Sequence, residues 1–311
     1  MKKIITFVIT ITFIIIILRG FWLSLLSAPS SDKSSEIFVV EKGESFSKIT
    51  EQLKKQGLIK SSWAFTLLAK QSGLGSKIQA GTFRLSSSYS AKEVLKILTS
   101  QPLDVWVTLI EGWRVEEMSE ALSSKFLKIA KEGYMFPDSY LFPVDITEEQ
   151  IVKKLKETFN EKYTDDLKNK IRALGLTEEQ GVILASIVER EARSDKARTE
   201  VASILLKRFK IGMGLNADAT IQYALGYQKD EKSWWKRNLT FDDLKIDSPY
   251  NTYQHVGLPP TPICNPGLSS LTAVANADPS TPYLYYYHDS KGNSYYAKTL
   301  EEHNTNAANY P

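Results

Sequence analysis

The chain reads as an α+β protein with an N-terminal transmembrane anchor, a small strand–helix–helix–strand module and a larger α+β domain. Three observations predict this. An apolar run opens the sequence, from Ile4 to Leu18, with FWLSLL continuing after Arg19 and Gly20. Strand and helix periodicities then alternate closely between residues 37 and 98. After Pro102 long amphipathic helices dominate, until proline, tyrosine and asparagine take over from Ser248 and two aromatic strands flank a turn near the end. The expected divisions are residues 1–28 for the cytoplasmic start and membrane helix, 29–36 for a linker, 37–101 for the small module and 102–311 for the larger domain.

The elements follow in order. Residues 4–26 are long enough to span a bilayer if Arg19 snorkels to the outer interface. Leu26 stands two positions before Ala28, so the small-residue pattern of a cleavage site is missing and a retained anchor is expected. Lys2 and Lys3 place the N-terminus in the cytoplasm and everything after residue 28 outside. The serine-rich SAPSSDKSSE then suits a flexible spacer. IFVVE, residues 37–41, reads as a strand, and KGES turns into a helix from Ser45 to Gln56 with Phe46, Ile49 and Leu53 on one face. A helix from Ser62 to about Lys70, a strand over Gln79 to Leu85 and a helix from Ala91 to Leu98 complete the module. VWVTLIEGW is a strand entering a turn, followed by a helix from Val115 to about Phe126. Further helices are expected between Thr147 and Leu174, from Thr177 to about Arg193 and from Lys196 to Lys210, and an aromatic hairpin around Tyr283 to Tyr296.

Composition excludes several classes of function. Cys264 is the single cysteine, so no intrachain disulfide forms. A net charge of +3 without long basic runs argues against a nucleic-acid partner. His255, His288 and His303 lack metal-ligand spacing, and no glycine-rich phosphate loop follows a strand, so neither a metal nor a cofactor is expected.

The richest stretch is ILASIVEREA, residues 183–192. Thr177 and Gln180 form a capping-box pattern that sets the helix register. At that register Val182, Ala185 and Ser186 share a face with Glu189, while Ile183, Leu184, Ile187 and Val188 fill the other sides. A carboxyl in such surroundings is desolvated, and its raised pKa suits a general acid. Arg193, at i+4, offers a structural ion pair instead. Glu191, between Leu184 and Ile187 on the wheel, is the second candidate acid.

Four other segments stand out: EGYMFPDSYLFP at 132–143, LNADATIQYALG at 215–226, SPYNTYQHVGLPPTPICNPG at 248–267 and the aromatic hairpin. They hold planar and hydrogen-bonding side chains suited to sugars: Tyr134, Asp138, Asn216, Asp218, Thr220, Tyr223, Tyr250, Asn251 and Tyr253, with Thr252 among them. The same residue types also make helix caps and turns. Glu111, in LIEGW, reads as a turn or loop acid.

The order and spacing of these segments resemble the YceG-like endolytic murein transglycosylases, the family also called MltG, over nearly the whole chain. Residues 37–101, with KGES in the first turn and AGTFRL at the closing strand, resemble a LysM-like peptidoglycan-binding module. The resemblance implies that the glutamate of A-S-I-V-E, Glu189, is catalytic, and that the polar segments form a glycan groove. Thr261 departs from the glycine of many members in G-L-P-P-G, which bears on the loop and not on the acid. The implied reaction is cleavage of the MurNAc-β-1,4-GlcNAc bond of nascent peptidoglycan strands with formation of 1,6-anhydro-MurNAc ends, limiting elongation. The implied setting is the cytoplasmic membrane, with peptidoglycan synthases as partners. The rivals are a muramidase that uses water, with Asp138 or Asp218 as its second carboxylate, and a non-catalytic wall-binding protein.

Overall fold

The computed structural model describes residues 2–310. It divides into two compact units: residues up to Val107 together with Tyr140–Ile146, and Thr108–Ser139 together with the chain from Thr147 onward.

The first unit opens with α1 (Lys2–Leu26), the one helix among the described residues that is long and apolar enough to cross a membrane. Its Ile9–Leu26 stretch has a mean hydropathy of 2.2 and none of it is buried. Twenty-five helical residues reach about 37 Å, more than the ~30 Å of a hydrocarbon core. Strand β1 (Ser35–Val40), helices α2 (Phe46–Lys55) and α3 (Ser62–Ser72), strand β2 (Gly81–Ser86) and helix α4 (Ala91–Leu98) follow. The helix starts are written in serine: the Oγ atoms of Ser45, Ser61 and Ser90 each accept a first-turn N–H, and Glu93 completes a capping box with Ser90. β1 and β2 pair antiparallel with Phe38 opposite Phe83. Both rings, with Leu53, Phe65, Leu85 and Leu98, are fully buried in one core. Strands β3 (Asp104–Thr108) and β4 (Ser139–Pro143) extend the sheet in the order β1-β2-β3-β4.

The segment expected to be a free spacer is tied to this unit. Ser30 N–H donates to the Ser87 carbonyl at 3.0 Å, Ser86 Oγ to the Asp32 carbonyl at 3.2 Å and Lys60 Nζ to Ser27 Oγ at 2.8 Å. Serine and aspartate supply the local hydrogen bonds that a glycine linker lacks.

The second unit contains α5 (Val115–Ala121), α6 (Glu148–Lys162), α7 (Asp165–Ala173), α8 (Glu178–Glu191), α9 (Asp195–Lys210), α10 (Asp218–Leu225), α11 (Leu268–Ala275), the hairpin β5 (Tyr285–His288) and β6 (Ser294–Ala297), and α12 (Leu300–Asn309). Helix α8 lies at the centre against α9, α11 and α10, and every residue from Gly181 to Val188 is buried. The Thr177/Gln180 capping box forms as its spacing predicts. The helix stops at Glu191, two residues short of the expected end, because Ala192 is extended and Ser194 caps α9 through a bond from Ala197 N–H. Helix α5 likewise stops at Ala121 and not Phe126, with Ser123 Oγ bound to the Glu148 carboxylate at 2.9 Å and a 3-10 turn over Ser124–Lys128.

Candidate active site

Glu189 stands in the last turn of α8, and the residue one turn before it explains what reaches it. Ser186 Oγ donates to the Ile183 carbonyl at 2.7 Å and accepts Ile263 N–H at 3.0 Å, while Cys264 Sγ donates to the Ser186 carbonyl at 3.2 Å. The 263–267 segment is thereby fastened along the Glu189 face of α8. Its end, Gly267 N–H, donates to Glu189 Oε2 at 2.9 Å. Arg198 Nη2 donates to Glu189 Oε1 at 3.1 Å, so each carboxylate oxygen holds one donor. The Glu189 side chain is 4% exposed and that of Arg198 13%. The ion-pair partner is thus Arg198 of α9 and not Arg193, which lies beyond the end of α8 and is exposed.

Asn265 gathers the surrounding loops. Its Oδ1 accepts the N–H groups of Gly133 and Met135, both at 2.9 Å, and its Nδ2 donates to the Trp113 carbonyl at 3.0 Å and to Glu132 at 2.8 Å. Two backbone bonds, Gly112 N–H to the Asn265 carbonyl and Asn265 N–H to the Trp113 carbonyl, bring the LIEGW turn beside Glu189. Gly112 has φ +78°, and a Cβ there would lie 3.5 Å from Glu189 Cγ. A Cβ on Gly267 would collide with the Glu111 carboxyl. One residue therefore touches both acids: Gly267 hydrogen-bonds Glu189 and packs against Glu111.

Glu111 is exposed. Its pKa is raised, first by desolvation, then by the Glu189 charge, with Arg198 opposing and Asp195 and Asp138 adding to the rise. The turn acid of the sequence is part of the Glu189 site. Glu132 is buried behind it, accepting from Val115 N–H and Asn265 Nδ2, and burial pushes its carboxyl up to about 8.

The other expected site residues separate into groups. Asp138 is exposed, within electrostatic reach of Glu111. Asn216, Asp218 and Tyr253 line a cavity of about 450 Å³ whose wall includes Glu191, Arg208 and Tyr286. Asn216 takes φ +49°, a conformation asparagine tolerates, and Tyr253 Oη donates to Asp218 at 2.6 Å. Glu191 accepts from Tyr286 Oη at 3.1 Å and from Ala219 N–H at 3.4 Å, and burial raises its carboxyl to about 7. Thr220 and Asn251 are fully buried. Thr220 Oγ1 donates to the Ala217 carbonyl and meets Thr252 Oγ1 at 2.9 Å. Asn251 Nδ2 donates to the carbonyls of Leu244 and Ile246 and its Oδ1 accepts Tyr253 N–H. Both side chains are engaged in hydrogen bonds within the protein. Tyr223 lies under the Arg114 guanidinium at 4.1 Å and against the Tyr250 ring, whose hydroxyl is 2.6 Å from Thr261 Oγ1. Tyr134 packs on Phe159 and lines a different cavity with Lys131 and Glu179. Sequence reading missed Arg198, Gly267 and Asn265, which act through tertiary contacts and have no local signal.

A glutamate at the end of a buried helix, held by an arginine and a backbone N–H with a second carboxyl beside it, has the groups that carboxyl acid–base chemistry uses. The model of the YceG-like family matches residues 38–309, and the chain belongs to that family. It is 32% identical over 321 residues to an endolytic murein transglycosylase of Bacillus subtilis (strain 168), covering 90% of this chain and 86% of that protein. It is 25% identical over 339 residues to the endolytic murein transglycosylase of Streptococcus pneumoniae serotype 2, covering 92% of this chain and 60% of that longer protein. A crystal structure of a YceG-like protein from Listeria monocytogenes matches with a TM-score of 0.62 at 25% identity, over 88% of this chain and 99% of that one.

Proposed function

We propose that this protein is an endolytic murein transglycosylase, a lyase that cuts peptidoglycan glycan strands internally, with Glu189 as its acid–base group. The observation that carries the reading is the Glu189 carboxylate itself, nearly enclosed at the end of α8 yet fixed by Gly267 N–H and Arg198. In the reaction the O6 hydroxyl of the muramyl unit attacks its own C1, the C1–O4′ bond breaks, and a 1,6-anhydro ring closes. The leaving oxygen gains a proton and the attacking hydroxyl loses one, so water is not consumed and a carboxyl pool can end as it began.

Asn216, Asp218 and Tyr253, along one cavity, are the candidate contacts for sugar or stem groups, and Asp138 lies on the Glu111 side. The β1–α2–α3–β2 arrangement supports reading residues 37–101 as a LysM-like module, and the catalytic domain expected over 102–311 is taken as that stretch without residues 102–107 and 140–146, which belong to the first unit. Helix α1 is compatible with a membrane anchor, and Lys2 and Lys3 favour a cytoplasmic N-terminus with the enzyme outside. Anchoring restricts action to nascent strands near the membrane, where synthases would be neighbours. One observation favours a hydrolase instead: Glu111 supplies the second carboxyl that muramidase chemistry uses. Mass spectrometry of products made in ¹⁸O-water decides. Unlabelled 1,6-anhydro-muramyl ends that disappear with Glu189→Gln are the expected result, and labelled reducing ends would replace the lyase by a hydrolase.

A further inference from the structure

Glu189 is the less accessible of the two carboxyls in this site. Both its oxygens already accept a donor, from Gly267 N–H at 2.9 Å and Arg198 at 3.1 Å, so each has one lone pair left for a further partner. Its side chain is 4% exposed. Glu111 is exposed, with its carboxyl against Gly267. The two acids are one residue apart in space, since Gly267 is hydrogen-bonded to one and in contact with the other. The charged and titratable groups facing Glu111 are Glu189 on α8, Asp195 and Arg198 on α9 and Asp138 ahead of β4. Arg190 packs against Gly112, the next residue in the chain, and the buried Cys264 thiol lies within electrostatic reach of Glu189 and Arg190. Three of the four groups that face it are acidic, and the one base, Arg198, is already bound to Glu189 and to Asp195. This is an environment in which Glu111 keeps its proton better than an isolated glutamate does.

We propose that Glu111 is a second catalytic carboxyl of this site, delivering its proton to the leaving glycosidic oxygen while Glu189 takes the proton of the attacking hydroxyl. The proposal rests on the reading of Glu189 as the reaction's acid–base group and leaves it the part of the base. The balance is complete: the C1–O6 bond forms, the C1–O4′ bond breaks, the O6 proton moves to Glu189 and the Glu111 proton moves to O4′. Proton exchange from Glu189 to Glu111 through solvent then restores the starting state. Arg198 occupies one lone pair of the Glu189 carboxylate beforehand and leaves others open for that proton.

The test uses the full-length protein and its Glu111→Gln, Glu111→Asp and Glu189→Gln variants on two substrates. One is intact glycan. The other is an aryl glycoside of N-acetylmuramic acid whose nitrophenolate leaves without protonation, so that a general acid is dispensable. Glu111→Gln is expected to lose about 100-fold in kcat on glycan and less than about tenfold on the aryl glycoside. Glu189→Gln should lose activity on both. Glu111→Asp should keep the alkaline limb of the kcat–pH profile on glycan, and the residual activity of Glu111→Gln should lack it. Glycan turnover by Glu111→Gln within about threefold of wild type, with Glu189→Gln inactive, overturns the role of Glu111 and leaves Glu189 standing. Equal losses on both substrates, or an unaltered alkaline limb, also overturn it. An active Glu189→Gln removes the underlying reading, a different and separately recognisable outcome.

Discussion

Glu189 shows how far a single residue can be read from its neighbours in sequence and where that reading stops. Its burial was legible, because an apolar wheel around residues 182–188 leaves no solvent side for α8. Its ion partner was not. The i+4 rule points to Arg193, but α8 ends at Glu191, and the guanidinium that arrives belongs to Arg198 on the next helix. The consequence for stability can be measured. Glu189→Gln should abolish cleavage and also lower stability by about 1–3 kcal/mol, because a largely buried Arg198 loses its better charge partner while the exposed Asp195 remains. Urea denaturation beside a glycan-release assay checks both halves, and retained activity would remove Glu189 from the chemistry. A second residue-scale prediction concerns Glu132, whose folded pKa of about 8 lies above its ordinary 4.5 because of burial. The folded state then binds the proton more tightly than the unfolded state. The resulting stabilisation is complete below about pH 4.5 and is lost as pH rises through about 8. Glu191, raised to about 7, adds a slope of the same sign that ends earlier. Glu132→Gln should therefore flatten the fall in melting temperature, above all between pH 7 and 8 where Glu191 contributes little. An undiminished slope there would assign it to another group.

At the level of elements, helix starts were more legible than helix ends. A start needs only a local donor–acceptor exchange, and the boxes at Thr147 and Thr177 form with their glutamines three residues on. An end is decided by what the chain meets next, as Ser194 and Ser123 show at α8 and α5. The loops were harder again, since asparagine, threonine and tyrosine serve sugars and turns alike. The structure spends Asn251 and Thr220 on internal bonds and leaves Asn216, Asp218 and Tyr253 on a cavity wall. Asn251→Ala should then lower the melting temperature without lowering turnover per folded molecule. Asp218→Ala should weaken turnover on glycan by about five- to hundred-fold with little change in melting, if that wall holds substrate. Normal turnover with Asp218→Ala would place the groove elsewhere. Asn265→Ala is the severest change of the set. It leaves the buried N–H groups of Gly133 and Met135 without their acceptor and frees the LIEGW turn, at a cost of about 3 kcal/mol or more. Both thermal melting and activity should fall, since this side chain holds the loops that present Glu111 and Gly267.

For the molecule as a whole, the decisive question is what α1 contributes beyond location. The helix has no buried residue in its apolar window, and near its end Trp22 meets Trp63 edge-on at 5.8 Å. Residues 27–34 are different, because Ser27, Ser30 and Asp32 are hydrogen-bonded to Lys60, Ser87 and Ser86. The serine-rich composition of this stretch predicts flexibility, yet serine hydroxyls also close local bonds once a folded partner is alongside. A chain starting at Ser27 should thus be soluble, melt close to the full-length protein in detergent and cut purified glycan at the same rate. A chain starting at Ile37 should melt lower, since it loses those ties and the first two pairs of β1, Ser35 with Ser86 and Glu36 with Leu85. Equal melting of the two would show that the 27–36 segment adds nothing to the fold. In cells, the Ser27 form exported by a cleavable signal should complement poorly despite full activity in the tube. On the proposed reading of Glu189, catalysis belongs to the second unit, and a tether at the membrane would set which strands it meets. Full complementation by the released form would remove anchoring from the account of function and leave the proposed chemistry of Glu189 and Glu111 untouched.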